Sequence, residues 1–333
     1  GLLRDAVIDF YSYEVRGGEP DLHIIDNGRD VFLAEGCDCT LALGGGSVID
    51  AAKTIGMLAV NGGCTEDYQL RGREVTKEPP LFIAIPTTSG TGAEATKTAV
   101  VVNNNNHLKK SLYHTSMIAD IVIMDPTLTV ELPKSITSAT GMDALSHAIE
   151  SYVSLNASPM TEMYGYKAME LINKYLAKAC FEPENIEARS GMMLASYLGG
   201  CAITAGIGID HIMAQPLGGQ YKIPHGDACS IFLPYAMELN LPYAAAKYAQ
   251  IAKALSVYVE GQSDEENGRN AIARVIEIQK EIGAPNSLKG YIKEEPDMDE
   301  LIDIIKRTTG HITCNPRPLT EDLMREIFAM ARQ

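Results

Sequence analysis

Residues 39–53, Cys39-Thr40-Leu41-Ala42-Leu43-Gly44-Gly45-Gly46-Ser47-Val48-Ile49-Asp50-Ala51-Ala52-Lys53, decide the fold. The apolar run Cys39 to Leu43 reads as a short buried strand, and it stops at three glycines and a serine. A helical pattern follows from Val48 to Val60. Strand, glycine turn and helix make up the repeating unit of parallel α/β sheets. The theme recurs downstream. Leu81 to Ile85 is a second apolar run, ending at Pro86-Thr87-Thr88, and Ile121 to Met124 is a third. Thr96 to Val102 and Lys110 to Tyr113 flank the asparagines 103–106 and read as a hairpin. Leu2 to Tyr13 reads as an amphipathic helix, with Leu3, Val7, Ile8 and Tyr11 on one side.

After Pro126 the character changes. From Ser135 onward the patterns are mainly helical, broken near Gly218-Gly219, Pro224, Pro242, Gly283-Ala284-Pro285 and Asn315-Pro316. The expected organisation is therefore an α/β domain over residues 1–130 and an all-helical domain over residues 131–333.

A chain of 333 residues with 46% hydrophobic residues can bury more than one core. Its formal net charge of -15 repels phosphates, so no nucleic-acid partner is expected. No stretch is long and apolar enough to span a bilayer, so no membrane association is expected either. The opening residues lack a signal-peptide pattern. The seven cysteines are odd in number, irregularly spaced and without a CxxC pair. That argues against a disulfide framework or a structural zinc knuckle and fits a reducing cytoplasm.

Two turns carry polar chemistry. Gly44-Gly45-Gly46-Ser47 joins a strand to a helix, where missing Cβ atoms and free helix N–H groups can admit a phosphate. The competing reading is a tight structural turn in which Ser47 is the N-cap and Asp50 completes a capping box. Pro86-Thr87-Thr88-Ser89-Gly90-Thr91-Gly92 sets four hydroxyls at a strand's carboxyl end, where open α/β sheets bind ligands.

A third constellation points to a metal. Asp143 and His147 stand at i and i+4 in apolar helical sequence, so their side chains share a face. His211 and His225 lie in similar Gly/Pro-punctuated surroundings. Three imidazoles and one carboxylate suit Fe²⁺ or Zn²⁺ better than Mg²⁺ or Ca²⁺. Such a site is catalytic if the ion can also accept a substrate oxygen.

Taken together, these motifs resemble the iron-containing (group III) alcohol dehydrogenase family. The resembling blocks are ALGGGSVIDAAK (42–53), IPTTSGTGAEAT (85–96), MDPTLTVELP (124–133), ATGMDALSHAIESYVS (139–154), HIMAQPLGGQYKIPHG (211–226) and CNPRPLTEDL (314–323). The resemblance implies a Rossmann-like first domain and a helical second domain, the fold shared with dehydroquinate synthase, with the metal in the cleft between. It implies Asp143, His147, His211 and His225 as ligands of Fe²⁺, with Zn²⁺ as the alternative. It implies that Gly45, Gly46 and Ser47 hold the cofactor pyrophosphate and that Asp50 lies near the nicotinamide ribose. Thr87, Thr88 and Thr91 would line the cofactor, and Lys109, with Lys110 as the nearby alternative, would reach a ribose. NAD(H) is expected ahead of NADP(H), the substrate is a small alcohol or aldehyde, and the assembly is a homodimer or larger homo-oligomer.

The sequence departs from the family in three places. Gln215 stands where many relatives carry a histidine, and glutamine does not titrate. His311 stands where some relatives carry a cysteine, which makes it a candidate for proton transfer. The family's opening strands, before the helix expected at Leu2, have no counterpart here. The expected reaction is reversible hydride transfer between an alcohol and a nicotinamide, with the metal as Lewis acid. A lyase of the dehydroquinate-synthase type, or an inactive paralogue, are the alternatives, and net NADH turnover with an aldehyde separates them.

Overall fold

The structure is a computed structural model that describes residues 2–15, 18–105, 108–294, 296–309 and 313–333. The chain divides into two compact units. One comprises Gly1–Pro86 and Thr96–Met124, the other Thr87–Ala95 and Asp125–Gln333. The threonine turn, although it follows a strand of the first unit, thus belongs with the helices.

In the first unit, β1 (Cys39–Gly44), β2 (Leu81–Pro86) and β5 (Ile121–Val122) form a parallel sheet in the order β1-β2-β5. The antiparallel pair is β3 (Thr98–Asn103) with β4 (Leu108–Tyr113), the hairpin expected around the asparagines. Helix α3 (Gly46–Asn61) follows β1 directly. The strands are half-buried rather than fully buried. Thr40 and Ala42 of β1 point inward, whereas Leu41 and Leu43 are exposed on the other face. The core of this unit joins Ile25, Phe32, Ala51, Ile55, Leu58, Ala99 and Val101.

The expected long helix at the start is not formed. Helix α1 covers only Leu2–Asp5, and Val7 turns the chain with a left-handed φ of 58°. Val7, Ile8 and Tyr11 are exposed, so their helical spacing has no core to face. The first long helix is α2 (Leu22–Ala34), whose N-cap Asp21 accepts a hydrogen bond from the Ile24 N–H at 2.8 Å. Ile25 and Phe32 of α2 supply the apolar stripe that Leu2 to Tyr13 does not. A short helix, α4 (Thr65–Gln69), follows α3.

The second unit is helical: α5 (Lys134–Val153), α6 (Pro159–Phe181), α7 (Ile186–Ala202), α8 (Ile209–Tyr221), α9 (His225–Ala254), α10 (Asp264–Ile282), α11 (Met298–Thr309) and α12 (Glu321–Ala331). Helix α5 is the centre of this unit, and every residue from Gly141 to Val153 is buried. Its residues Met142, Leu145 and Ile149 join a core with α6, α7, α9 and α10. A second core links α8 and α9 to α11 and α12 through Ile212, Leu217, Phe232, Ile305 and Phe328. Serine caps with reciprocal bonds start two of the helices, Ser158 on α6 and Ser263 with Glu266 on α10. Among the described residues, no single helix is long and apolar enough to cross a membrane.

The threonine turn passes α7 backbone to backbone. Gly92 has φ +57°, and a Cβ there would stand 2.5 Å from the Ser196 carbonyl oxygen and 2.7 Å from Gly200 Cα. A Cβ on Gly200 would stand 2.4 Å from the Gly92 carbonyl oxygen. Both positions need glycine on steric grounds alone.

Candidate metal centre and cofactor turns

Asp143, His147 and Glu150 occupy i, i+4 and i+7 of α5, so all three lie on one helix face. His211 sits in the first turn of α8, and His225 is the first residue of α9. Three helices therefore converge on one buried point. Asp143 Oδ1 lies 3.7 Å from His147 Nε2, 3.5 Å from His211 Nε2 and 3.6 Å from His225 Nε2. The carboxylate oxygen and the His211 nitrogen are buried without a hydrogen-bond partner among the described residues.

These separations are too long for direct hydrogen bonds and fit an ion at their centre. Tetrahedral donors at about 2.0–2.1 Å from one ion stand about 3.4 Å apart. Buried polar atoms left without partners are rare and need a reason, and a shared cation supplies one. The ligand candidates titrate in different directions. Burial lowers His211, but the Cys229 thiol and the Asp143 and Glu150 carboxylates outweigh it and raise His211 well above the usual imidazole range. An ion there has to displace that proton. Burial would raise the Asp143 pKa, but the three surrounding imidazoles hold it well below the usual carboxylate range. Burial pushes His147 down to about 4, so its ring stays neutral and able to ligate at pH 7.

Two neighbours of this cluster were not anticipated. Glu150 Oε2 lies 2.7 Å from His211 Nδ1, and Glu150 Oε1 accepts the Asp210 N–H at 2.8 Å. Cys229 stands one turn after His225 on α9, fully buried, with Sγ 3.7 Å from His225 Nε2. Donor atoms of Asp143, His211, His225 and Cys229 all lie within 4.8 Å of one another. Helix spacing was the available signal for both, i+7 from Asp143 for Glu150 and i+4 from His225 for Cys229.

The expected cofactor residues fall into two groups. In the first unit, Gly45 rather than Ser47 is the N-cap of α3, and no side chain caps this end. The capping-box reading of Ser47 and Asp50 therefore fails. The Asp50 carboxylate is drawn elsewhere: Oδ2 accepts the Val100 N–H at 2.9 Å and Oδ1 lies 3.5 Å from Lys53 Nζ. Lys53 is buried and also donates to the Thr98 carbonyl at 2.7 Å and the Thr96 carbonyl at 3.1 Å. With no side chain across it, the first turn of α3 at Gly45, Gly46 and Ser47 keeps N–H groups for an anion. Lys109 Nζ is paired with Glu19, which engages one of its three donors. In the second unit, Thr87, Thr88 and Thr91 are half-buried, and Thr91 Oγ1 accepts the Ala93 N–H at 3.2 Å. Gln215, four residues after His211 on α8, is half-buried. His311 lies outside the described residues.

Comparison with known proteins identifies the family. Residues 1–126 match the model described as iron-containing alcohol dehydrogenase, and residues 137–332 match the C-terminal model of the Fe-containing alcohol dehydrogenase family. The chain belongs to the iron-containing alcohol dehydrogenase family. The NAD-dependent methanol dehydrogenase of Bacillus methanolicus is 36% identical, over 99% of this chain and 86% of that protein. The 1,3-propanediol dehydrogenase of Klebsiella pneumoniae is 34% identical, over 99% of this chain and 85% of that protein. Among solved structures, a 1,3-propanediol oxidoreductase matches with a TM-score of 0.94 at 34% identity, covering 99% of this chain and 86% of that one. An alcohol dehydrogenase from Oenococcus oeni also matches with a TM-score of 0.94, at 33% identity and the same coverage. The fold is the family's, a parallel-sheet first unit and a helical second unit, and the chain is a metal-dependent, nicotinamide-linked alcohol dehydrogenase rather than a lyase.

Proposed function

We propose that this enzyme interconverts short primary alcohols or diols with their aldehydes, using Fe²⁺ on Asp143, His147, His211 and His225 and NAD(H) as the hydride carrier. One observation carries the reading: a buried carboxylate oxygen with three imidazole nitrogens at 3.5–3.7 Å around it. The likeness to methanol and 1,3-propanediol dehydrogenases supports the substrate class, and the first of these supports NAD.

A divalent ion held by these residues would supply Lewis acidity, and a bound nicotinamide would supply the hydride chemistry. The protein does the rest. Asp143 contributes the negative charge that a cation needs, and the imidazoles, once deprotonated, contribute donors without further charge. Glu150 fixes the His211 ring so that Nε2 faces Asp143. Gln215 can hold a substrate oxygen by hydrogen bonding but cannot move a proton at neutral pH. Proton transfer falls in this reading to solvent, to the ribose hydroxyls or to His311. Gly45, Gly46 and Ser47 offer backbone N–H groups to the pyrophosphate, Asp50 and Lys109 are assigned to the ribose, and Thr87, Thr88 and Thr91 line the cofactor.

The free thiols of all seven cysteines support a reducing cytoplasm as the compartment. A homo-oligomer is the assembly proposed on family likeness, and light scattering reads it directly. The deciding assay measures NADH and NADPH oxidation over a panel of short aldehydes, and the reverse reaction over alcohols and diols. Turnover of none of them, with the metal present, would overturn the proposal.

A further inference from the structure

The buried cluster holds five potential donors, one more than the carboxylate and three imidazoles that the proposed site uses. Cys229 is the fifth. Its position follows from helix geometry: one turn after His225, it projects from the same face of α9. Its Sγ stands 3.7 Å from His225 Nε2. A metal bonded to sulfur at about 2.3 Å and to imidazole nitrogen at about 2.0–2.1 Å, at a tetrahedral angle, separates the two donors by about 3.6 Å. At 3.7 Å the thiol and the imidazole are in hydrogen-bond contact, and the same spacing fits two ligands on one ion. Asp143 and His211 complete a group whose donor atoms lie within 4.8 Å of one another. Two of those atoms, Asp143 Oδ1 and His211 Nε2, are buried without a hydrogen-bond partner among the described residues. The thiol is thus aimed at the point where the orphaned donors converge.

We propose that Cys229 Sγ is a ligand of the metal alongside Asp143, His211 and His225, and that this mixed N/O/S donor set shifts the site's preference from Fe²⁺ toward Zn²⁺. The inference rests on the metal reading of the cluster given above. Ligation forms one sulfur–metal bond and releases the thiol proton to solvent, with no change in oxidation state. Thiolate is the softest donor in the set and favours zinc, whereas carboxylate and imidazole alone accommodate iron as well. His147 Nε2 lies 3.7 Å from Asp143 Oδ1, outside the group of four whose donor atoms all lie within 4.8 Å of one another.

The test loads the full-length, metal-stripped protein with Zn²⁺ for X-ray absorption and with Co²⁺ for optical spectroscopy. The expected result is one sulfur scatterer at about 2.3 Å from zinc, and a thiolate-to-cobalt charge-transfer band in the near ultraviolet. In Cys229→Ser and Cys229→Ala that band should vanish while the visible ligand-field bands persist, and the preference for Zn²⁺ over Fe²⁺ in competition should fall. An ion bound by nitrogen and oxygen donors only, with no charge-transfer band, overturns the inference and leaves the metal reading standing. A sulfur signal that survives both substitutions overturns the assignment to Cys229. Failure of the wild-type protein to bind one equivalent of either ion overturns both.

Discussion

Glu150 Oε2 lies 2.7 Å from Nδ1 of His211, and the opposite ring nitrogen is the one that faces Asp143. The carboxylate fixes the tautomer, makes Nε2 the available donor, and is itself held by the Asp210 N–H at the start of α8. Removing the carboxylate charge while keeping the shape isolates this effect. Glu150→Gln is expected to weaken metal affinity by about 10–100-fold, the usual cost of losing such a partner. Competition against a chelator of known affinity measures it, and an unchanged affinity would reduce Glu150 to a packing role.

His225 is the proposed ligand whose loss should disturb the fold least, because its side chain is 29% exposed where those of Asp143 and His211 are 3% and 4%. His225→Ala should therefore lose bound metal and turnover while keeping the far-ultraviolet circular dichroism of the parent. Asp143→Ala should do the same to activity. Full turnover in both variants after metal depletion would contradict the ligand assignment.

The proposed ligands come from α5, α8 and α9, so an ion there would tie α5 to two consecutive helices much later in the sequence. Metal that binds only the folded chain adds about 2.7 kcal/mol of stability at a hundredfold excess over its Kd. Chelation should lower the melting temperature of the wild-type protein and leave that of the His225→Ala variant unmoved. Equal shifts in both would mean that the stabilising ion binds elsewhere.

Lys53 and Asp50 make a buried pair in the first unit. Lys53→Met should cost about 3–5 kcal/mol, because it strands a buried carboxylate. The loss should depend on pH. Burial raises the Asp50 pKa, while Lys53 and the Val100 N–H oppose the rise. A carboxyl with a folded pKa above its unfolded value holds more protons when folded, so stability falls as pH rises above the ordinary carboxylate range. Without Lys53 that fall should steepen and extend to higher pH, and Asp50→Asn in the same background should abolish it. Urea midpoints across the pH range would show this, and a pH-independent loss would place the role of Lys53 in packing alone.

What could be read from the residues depended on whether the signal was local. Asp143 and His147 were legible because four residues on a helix bring two side chains together whatever surrounds them. The strand ends at Gly44 and Pro86 were legible because glycine and proline punctuate the backbone directly. Glu150 and Cys229 stand at helical spacing from Asp143 and His225, but spacing alone does not tell a buried carboxylate or thiol from a surface one. What gives them a role is His211 on α8 for Glu150 and the cluster with Asp143 and His211 for Cys229. Ser47 misled for the opposite reason. A serine followed three residues later by an acid satisfies the local rule, but Asp50 is taken by Val100, fifty positions away. Leu2 to Tyr13 likewise had the spacing of a helix and no surface to bury it against.

The contact between Gly92 and Gly200 bears on how this enzyme can diversify. A side chain at either position would strike main-chain atoms, which cannot rotate aside as a side chain can. Neither position can drift alone, and no substitution at one makes room for a substitution at the other. Inheritance is left to act on the hydroxyl-bearing residues that precede Gly92 in the turn, Thr87, Thr88, Ser89 and Thr91. A lineage that changed its cofactor or substrate through this turn would do so by exchanging those side chains over an unaltered backbone path, and directed libraries in the turn should be restricted to the same positions.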